Sequence, residues 1–230
     1  MGLETLKIYF LLFVIYSFLG WIVEIVYTLI EEGKLVNRGF FIGPFCPIYG
    51  FGTLAILYIL KGYDSHPVEL FINAIVICSL LEYFTSFLME KIFHARWWDY
   101  SNKRFNINGR ICLETMIPFG FGVLLVWYLI NPSLLELINL IPSSITTIIA
   151  IILLIVIIID VLISSNAIIS YKSAIKKISK DDVTEDFNKY VKNTLSEKHY
   201  LTRRLIKAFP KINFEYLKKK IIKKNSKAKK

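Results

Sequence analysis

An all-α, polytopic transmembrane helical bundle is the fold class this sequence predicts. Three observations predict it. Hydrophobic residues make up 55% of the 230 positions, they fall in long runs rather than alternating with polar ones, and mean hydropathy is +0.52. A helix needs about 20 mostly apolar residues to cross the hydrocarbon core of a bilayer. Five runs approach that length: residues 6–30, 40–60, 68–89, 111–130 and 143–163. Residues 1–165 are expected to form the transmembrane domain and residues 166–230 a basic cytosolic tail.

Each run has its own justification. The first lacks both a basic leader and a small-residue cleavage site, so it is expected to stay as a span. The second is interrupted by Pro44 and Pro47, which leave only a short clean helix; it either spans or re-enters. The third carries Glu69 at its start and Glu82 further in, and the fifth is continuous apart from Asp160. The fourth follows a polar loop and ends before a second polar stretch at residues 131–142, read as a loop.

Basic residues orient the bundle. Lys34 and Arg38 follow the first run; Lys91, Arg96, Lys103, Arg104 and Arg110 follow the third. The opposite side offers only Lys7 and Lys61. After Tyr171 there are nineteen Lys and Arg against six Asp and Glu, so the tail carries +13 of a net +10 and the rest is −3. This places the N-terminus outside and the C-terminus in the cytosol, an arrangement that five spans satisfy.

Four acids interrupt the apolar runs: Glu24, Glu82, Glu114 and Asp160. A charge near the bilayer centre costs about 2.5–3.5 kcal/mol on insertion scales. In the expected orientation all four fall in the cytosolic half. Three lie near helix C-termini, where a carboxylate meets the negative end of the macrodipole, so they need compensation. Arg38, Arg96 and Arg110 are at about the same level. Arg110 and Glu114 are spaced i, i+4, and Glu82, Ser86 and Glu90 share one helix face. These acids are either static ion pairs pinning a bundle or a polar cluster opening toward the cytosol; Asp160 alternatively marks the interface.

Two loops flank this cluster. Residues 37–52 are rich in Gly and Pro, including Gly39, Gly43, Pro44 and Pro47, and suit a bent approach to a helix. Free N–H groups there would suit an anion beside Arg38, or the small residues simply let helices pack closely. Residues 94–110 hold Arg96, Trp97, Trp98, Asp99, Tyr100, Asn106, Asn108, Gly109 and Arg110. Tryptophan and tyrosine favour the membrane–water interface, Asn108 is a candidate cap for the fourth span, and Arg offers a planar fork for carboxylates, phosphates or a lipid headgroup. The loop reads as a lid or floor over the acids.

These residues carry a resemblance. Gly20, Trp21 and Glu24, then Arg38-Gly39-Phe40, Gly43-Pro44 and Cys46-Pro47-Ile48-Tyr49-Gly50, agree in order and spacing with one bacterial membrane family. So do Glu82-Tyr83, Glu90, Trp97-Trp98-Asp99-Tyr100-Ser101, Phe105-Asn106 and Asn108-Gly109-Arg110. Over about residues 8–130 the chain resembles the ABC-transporter type IV permeases. The resemblance implies a small multi-pass protein of the bacterial cytoplasmic membrane, a permease-like subunit of an ABC-type transporter. No G-x-x-x-x-G-K-[ST] phosphate loop occurs in the sequence, so the ATPase would be a separate chain. Substrate is then expected to contact Glu24, Arg38, Glu82, Trp97, Asp99, Asn106, Arg110 and Glu114, with Gly39, Gly43 and Gly109 as hinges; a homo-oligomer is compatible with five spans.

Other chemistries are weaker. Cys46, Cys78 and Cys112 form no C-x-x-C pair, and disulfides are not expected. His66, His94 and His199 have no metal-ligand spacing, so neither a metal nor a cofactor is expected. His94 and Asp99 offer an acid–base pair, the basis of an alternative: a membrane enzyme acting on a lipid headgroup. A non-transporting scaffold or regulator is a third reading.

In the tail, Ile168, Tyr171, Ile175 and Ile178 form a seam suited to another helix. Phe187, Val191 and Leu195, and then Phe214, Leu217, Ile221 and Ile222 among lysines, make basic amphipathic stretches. Such helices bind anionic lipid surfaces, and nucleic acid is the less suited partner beside five spans. The run from Lys223 to Lys230 is expected to be disordered.

Overall fold

The computed structural model describes residues 2–178, 186–198, 200–209 and 211–227, and among these every named element is helical. In chain order they are α1 (Leu3–Glu32), α2 (Pro47–Ile59), α3 (Pro67–Phe93), α4 (Leu113–Leu125), α5 (Asn131–Leu140), α6 (Ser143–Lys177), α7 (Phe187–Lys198), α8 (Tyr200–Ala208) and α9 (Glu215–Lys227). Residues 179–185, with the acidic pair Asp181 and Asp182, lie outside the described residues, as do His199 and the last three positions of the expected disordered run.

Among the described residues four helices are long and apolar enough to cross a membrane: Leu3–Glu31, Pro67–Phe93, Leu113–Leu140 and Ser143–Ser173. The membrane bundle expected from hydropathy is therefore present, with one run shorter than a span. Residues 40–60 yield only the 13-residue α2, a rise of about 20 Å against a core about 30 Å thick. Proline is the reason. Pro47 is accepted at the first helical position, where its missing N–H costs nothing, and residues 34–46 before it make no helix.

The fourth span corrects the expected boundary. Instead of ending in a loop at residue 131, α4 continues into α5 through a wider turn, in which the Asn131 N–H bonds to the Val126 carbonyl five residues back. Pro132 explains the widening. Its ring has no N–H and would press on the carbonyl four residues earlier; adding a residue to the turn absorbs the mismatch.

The chain divides into two compact units. The first comprises Met1–Leu81 and Leu113–Val161, hence α1, α2, α4, α5 and parts of α3 and α6. Here α2 packs on α1 because both surfaces are small. The Tyr49 ring lies on Gly20, and Gly50 lies on Ser17 and the Phe13 carbonyl. One core cluster joins Leu11, Leu12 and Tyr16 to Ile138 and Ala150; a second joins Ile56 and Leu60 to Leu70, Ala74 and Val123. Polar ties close one end: Lys7 Nζ reaches Ser143 Oγ at 2.9 Å, and Trp127 Nε1 donates to Asp64 at 3.0 Å.

The second unit comprises Glu82–Cys112 and Leu162–Lys230. Its core is built from Phe93, Trp97, Tyr171, Ile175, Phe187, Val191, Leu195, Leu205 and Phe214, all buried. Tyr171 and Ile175 occupy the expected seam with Ile178, also buried; the Ile168 side chain is outside the described set. Of the tail's amphipathic stretches, Phe187, Val191, Leu195, Phe214 and Leu217 are buried within the unit, while Ile222 is 52% exposed. An amphipathic face shows only that a helix needs an apolar neighbour, and here the chain supplies one.

Candidate functional site

In the first unit, α1 presents Glu24 and the following irregular segment returns Arg38 to it. One Glu24 oxygen accepts the Tyr49 hydroxyl at 2.8 Å; the other lies 3.7 Å from Arg38 Nε. Arg38 also donates to Thr28 Oγ1 at 3.0 Å, and Thr28 in turn donates to the Glu24 main-chain carbonyl at 2.8 Å. The guanidinium carbon lies 5.7 Å from the centre of the Tyr27 ring. Tyr49 reaches Glu24 only because Gly20 leaves room for its ring; any Cβ there would overlap it.

The same segment is fastened at a second point. Both oxygens of Asp160 are used, one accepting the Ile42 N–H at 3.0 Å and the other the Gly43 N–H at 2.7 Å. Asp160 is 7% exposed although it sits in α6, the most hydropathic of the four membrane-length helices among the described residues. Asn37 adds a brace, accepting from Trp21 Nε1 at 2.8 Å and donating to the Ile42 carbonyl at 2.9 Å. The anion expected at these N–H groups is thus the chain's own carboxylate. A cavity of about 20 Å³ lies beside it, lined by Phe13, Ser17, Phe41, Phe45, Ile157 and Asp160, which is room for about one water.

In the second unit, the centre is Glu90, which pairs with Arg110 and with Arg96 at 3.5 Å. Arg110 is 8% exposed. It donates to Glu90 and to Ser86 Oγ at 3.1 Å, and its guanidinium lies 5.5 Å from the Phe87 ring centre and 5.7 Å from that of Tyr83. Glu82 accepts the Tyr100 hydroxyl at 3.2 Å. Glu82, Ser86 and Glu90 do share a face, as the spacing predicts, and that face meets Arg110 and Tyr100.

Arg110 and Asn108 depart from their expected roles. Helix α4 begins at Leu113, so Arg110 precedes it and the i, i+4 geometry with Glu114 does not apply. Asn108 is four residues too early to cap α4; it adopts φ +53° and donates to the Tyr83 hydroxyl at 2.8 Å. Glu114 lies in the first turn of α4, where the positive end of the helix dipole favours a carboxylate.

The remaining loop residues shape the loop. Asp99 accepts from the Ser101 N–H at 3.0 Å, from Ser101 Oγ at 2.5 Å and from Arg96 at 3.4 Å. Asn106 donates to the Lys103 carbonyl at 2.8 Å and accepts the Gly109 N–H at 2.9 Å. Gly109 has φ +65°, and a Cβ there would strike Ser101 and Asp99. Trp97 is 3% exposed, its ring 5.2 Å from Phe93 and 4.7 Å from Phe209. Arg96 and Asn213 exchange two main-chain hydrogen bonds of 2.8 Å, tying the tail to the loop. The His94 ring lies 5.9 Å from that of Tyr216.

Glu24 and Arg38 therefore meet in one unit with Asp160 nearby on the same segment, while Asp99 and Arg110 meet in the other around Arg96 and Glu90. Glu90, Ser86, Tyr49 and Thr28 complete these groups without having been expected as contact residues. For Glu90 the signal was the shared face with Glu82. Thr28 lies four residues after Glu24 on α1, the spacing at which a threonine hydroxyl bonds back to the carbonyl; for Tyr49 no local pattern points to Glu24. Among the described residues no group of three His, Cys, Asp or Glu is placed to hold a metal ion.

The family model described as "Putative ABC-transporter type IV" matches residues 11–165, 155 of the 230 positions. No curated protein and no solved structure matches the chain.

Proposed function

Because the chain belongs to the ABC-transporter type IV family, we propose that it is the permease-like membrane subunit of an ABC-type transporter whose ATPase is a separate chain. The observation that carries this reading is the segment between α1 and α2. It is irregular backbone beside two membrane-length helices, held by side chains and bringing Arg38 to Glu24. Irregular backbone at membrane helices is tolerated where protein buries it or a cavity needs it, and short, Pro- and Gly-interrupted segments mark binding sites in transporters. Substrate contacts fall into two sets, each within its own unit: Glu24, Arg38 and Glu114 in the first, and Glu82 and Asp99 in the second. Trp97, Asn106 and Arg110 act on the fold of their loop. Gly39, Gly43 and Gly109 are the hinges, with the tail in the cytosol of a bacterial cell; the N-terminus is outside where α2 completes a fifth crossing and on the tail's side where it re-enters.

The test is purification of a tagged copy from native membranes in mild detergent, with mass spectrometry of what accompanies it. A stoichiometric ABC ATPase is the expected result, with Glu24→Gln and Arg38→Ala lowering substrate-stimulated ATP hydrolysis while melting temperature holds. Absence of any ATPase, together with one enriched lipid lost on Arg38→Ala, would overturn the permease reading in favour of a lipid-handling protein.

A scaffold is the second reading, and one observation favours it. Glu24, Glu82, Glu90, Asp99 and Asp160 each already contact a partner within the chain. If Arg38→Ala unfolds the protein rather than uncoupling it, the scaffold reading stands.

A further inference from the structure

The tip of the loop between α3 and α4 is both strained and exposed. Phe105 has φ +51° and is 78% exposed; Ile107, two residues on, is 51% exposed. Left-handed backbone is routine for Gly109 and accessible to Asn108, but it is unfavourable for a bulky aromatic side chain. A strained residue persists only where its surroundings over-determine it, and here they do. Asn106 bonds Lys103 and Gly109, Tyr100 N–H donates to the Gly109 carbonyl at 2.8 Å, and Ile107 N–H donates to the Ile111 carbonyl at 2.9 Å. The fold thus holds an aromatic and an aliphatic side chain outward, with exposed Lys103 and Arg104 next to them.

We propose that this tip is a membrane anchor: Phe105 and Ile107 enter the headgroup–acyl boundary of an anionic leaflet, and Lys103 and Arg104 hold its phosphates. The proposal rests on reading α3 and α4 as membrane spans. The tip joins those two helices, and even a fully extended chain from Phe105 to Leu113 reaches only about 28 Å, so the bilayer surface is the nearest apolar phase. Two adjacent cations match an anionic surface in charge, and an apolar residue beside a basic one suits the interface. Of the tryptophans suggested by composition, Trp97 is buried, and Trp98 is half-buried and donates its Nε1 to the Arg110 carbonyl at 3.1 Å.

The test uses the full chain in vesicles of equimolar phosphatidylglycerol and phosphatidylcholine. Phe105→Trp adds one emitter to the four native tryptophans, whose signal is subtracted with the parent protein. Ile107→Trp reports independently, on backbone outside the left-handed region. The expected result is blue-shifted added emission, lost on brominating the acyl chains and resistant to aqueous acrylamide. Combining Lys103→Ala with Arg104→Ala should reduce that loss in the anionic vesicles and leave it unchanged in phosphatidylcholine alone. Red emission quenched by acrylamide in both tryptophan variants overturns the anchor. Protection seen in native membranes but never in lipid-only vesicles also overturns it, and assigns the tip to a protein partner.

Discussion

Asp160 and Gly43, 117 residues apart, meet through a 2.7 Å hydrogen bond from main chain to carboxylate. A Cβ at Gly43 would lie 2.8 Å from the same Asp160 oxygen. The acid and the glycine are therefore one device: a buried charge that satisfies backbone, and backbone bare enough to reach it.

Replacing Asp160 by Asn should loosen this device. An amide keeps one acceptor oxygen but turns N–H against the second N–H donor, and a buried donor left unsatisfied costs about 1–3 kcal/mol. Thermal unfolding at fixed detergent concentration should show a lower Tm for Asp160→Asn and for Gly43→Ala. An unchanged Tm in both would mean that the segment does not depend on this contact.

Arg110 offers the sharper test of the second unit. Removing one member of a buried ion pair strands the other and costs about 3–5 kcal/mol, so Arg110→Ala and Glu90→Ala should each destabilise strongly. Arg110→Lys keeps the charge but loses the planar fork placed between Ser86, Glu90 and two rings, and should recover little. Hydrogen exchange across residues 96–112 reads the outcome; protection equal to the parent in Arg110→Lys would reduce the site to simple charge neutralisation.

Two glycines should respond with opposite sign. At Gly50 an added Cβ lies 2.6 Å from the Phe13 carbonyl, a backbone atom that cannot step aside. Gly50→Ala should cost about 1–3 kcal/mol or more by prising α2 from α1. Gly122, also helical, has nothing within 4 Å of the added atom, and Gly122→Ala should stabilise by about 0.5–1 kcal/mol. Melting temperatures of the two variants, measured side by side, settle the comparison.

Lys192 in α7 links the tail to pH. Burial lowers its ammonium below the ordinary value of 10.5. Between the lowered value and 10.5 the unfolded chain binds more protons than the folded one, so stability rises with pH across that window. The cost to folding is full below the folded value. Lys192→Met should therefore stabilise the tail near neutral pH, and its advantage should shrink as pH approaches 10.5. A gain that is constant with pH would point to packing rather than charge.

Part of the site was legible residue by residue. Glu24, Glu82 and Asp160 stand out because a charge in an apolar run is expensive, and each has a partner in the fold. The shared face of Glu82, Ser86 and Glu90 follows from helical geometry alone. Partner choice was not legible. Arg110 lies four positions before Glu114 in the sequence, yet α4 starts too late for that spacing to act, and Arg110 turns instead to a residue 20 positions earlier.

By itself the sequence determined that the chain is helical and built to cross a membrane, that the second apolar run is broken at its prolines, and that the tail helices each carry an apolar face. These follow from hydropathy, from the missing proline N–H and from periodicity, all local properties. Only the tertiary structure decided what each exposed need is met by. Asp160 rather than a bound anion takes the Ile42 and Gly43 N–H groups, Glu90 rather than Glu114 takes Arg110, and the interior of the second unit takes Phe187, Val191 and Leu195. Desolvation compels a buried charge or an apolar face to find a partner, but it is indifferent to which one; the identity is set by which segments the folded chain brings within reach.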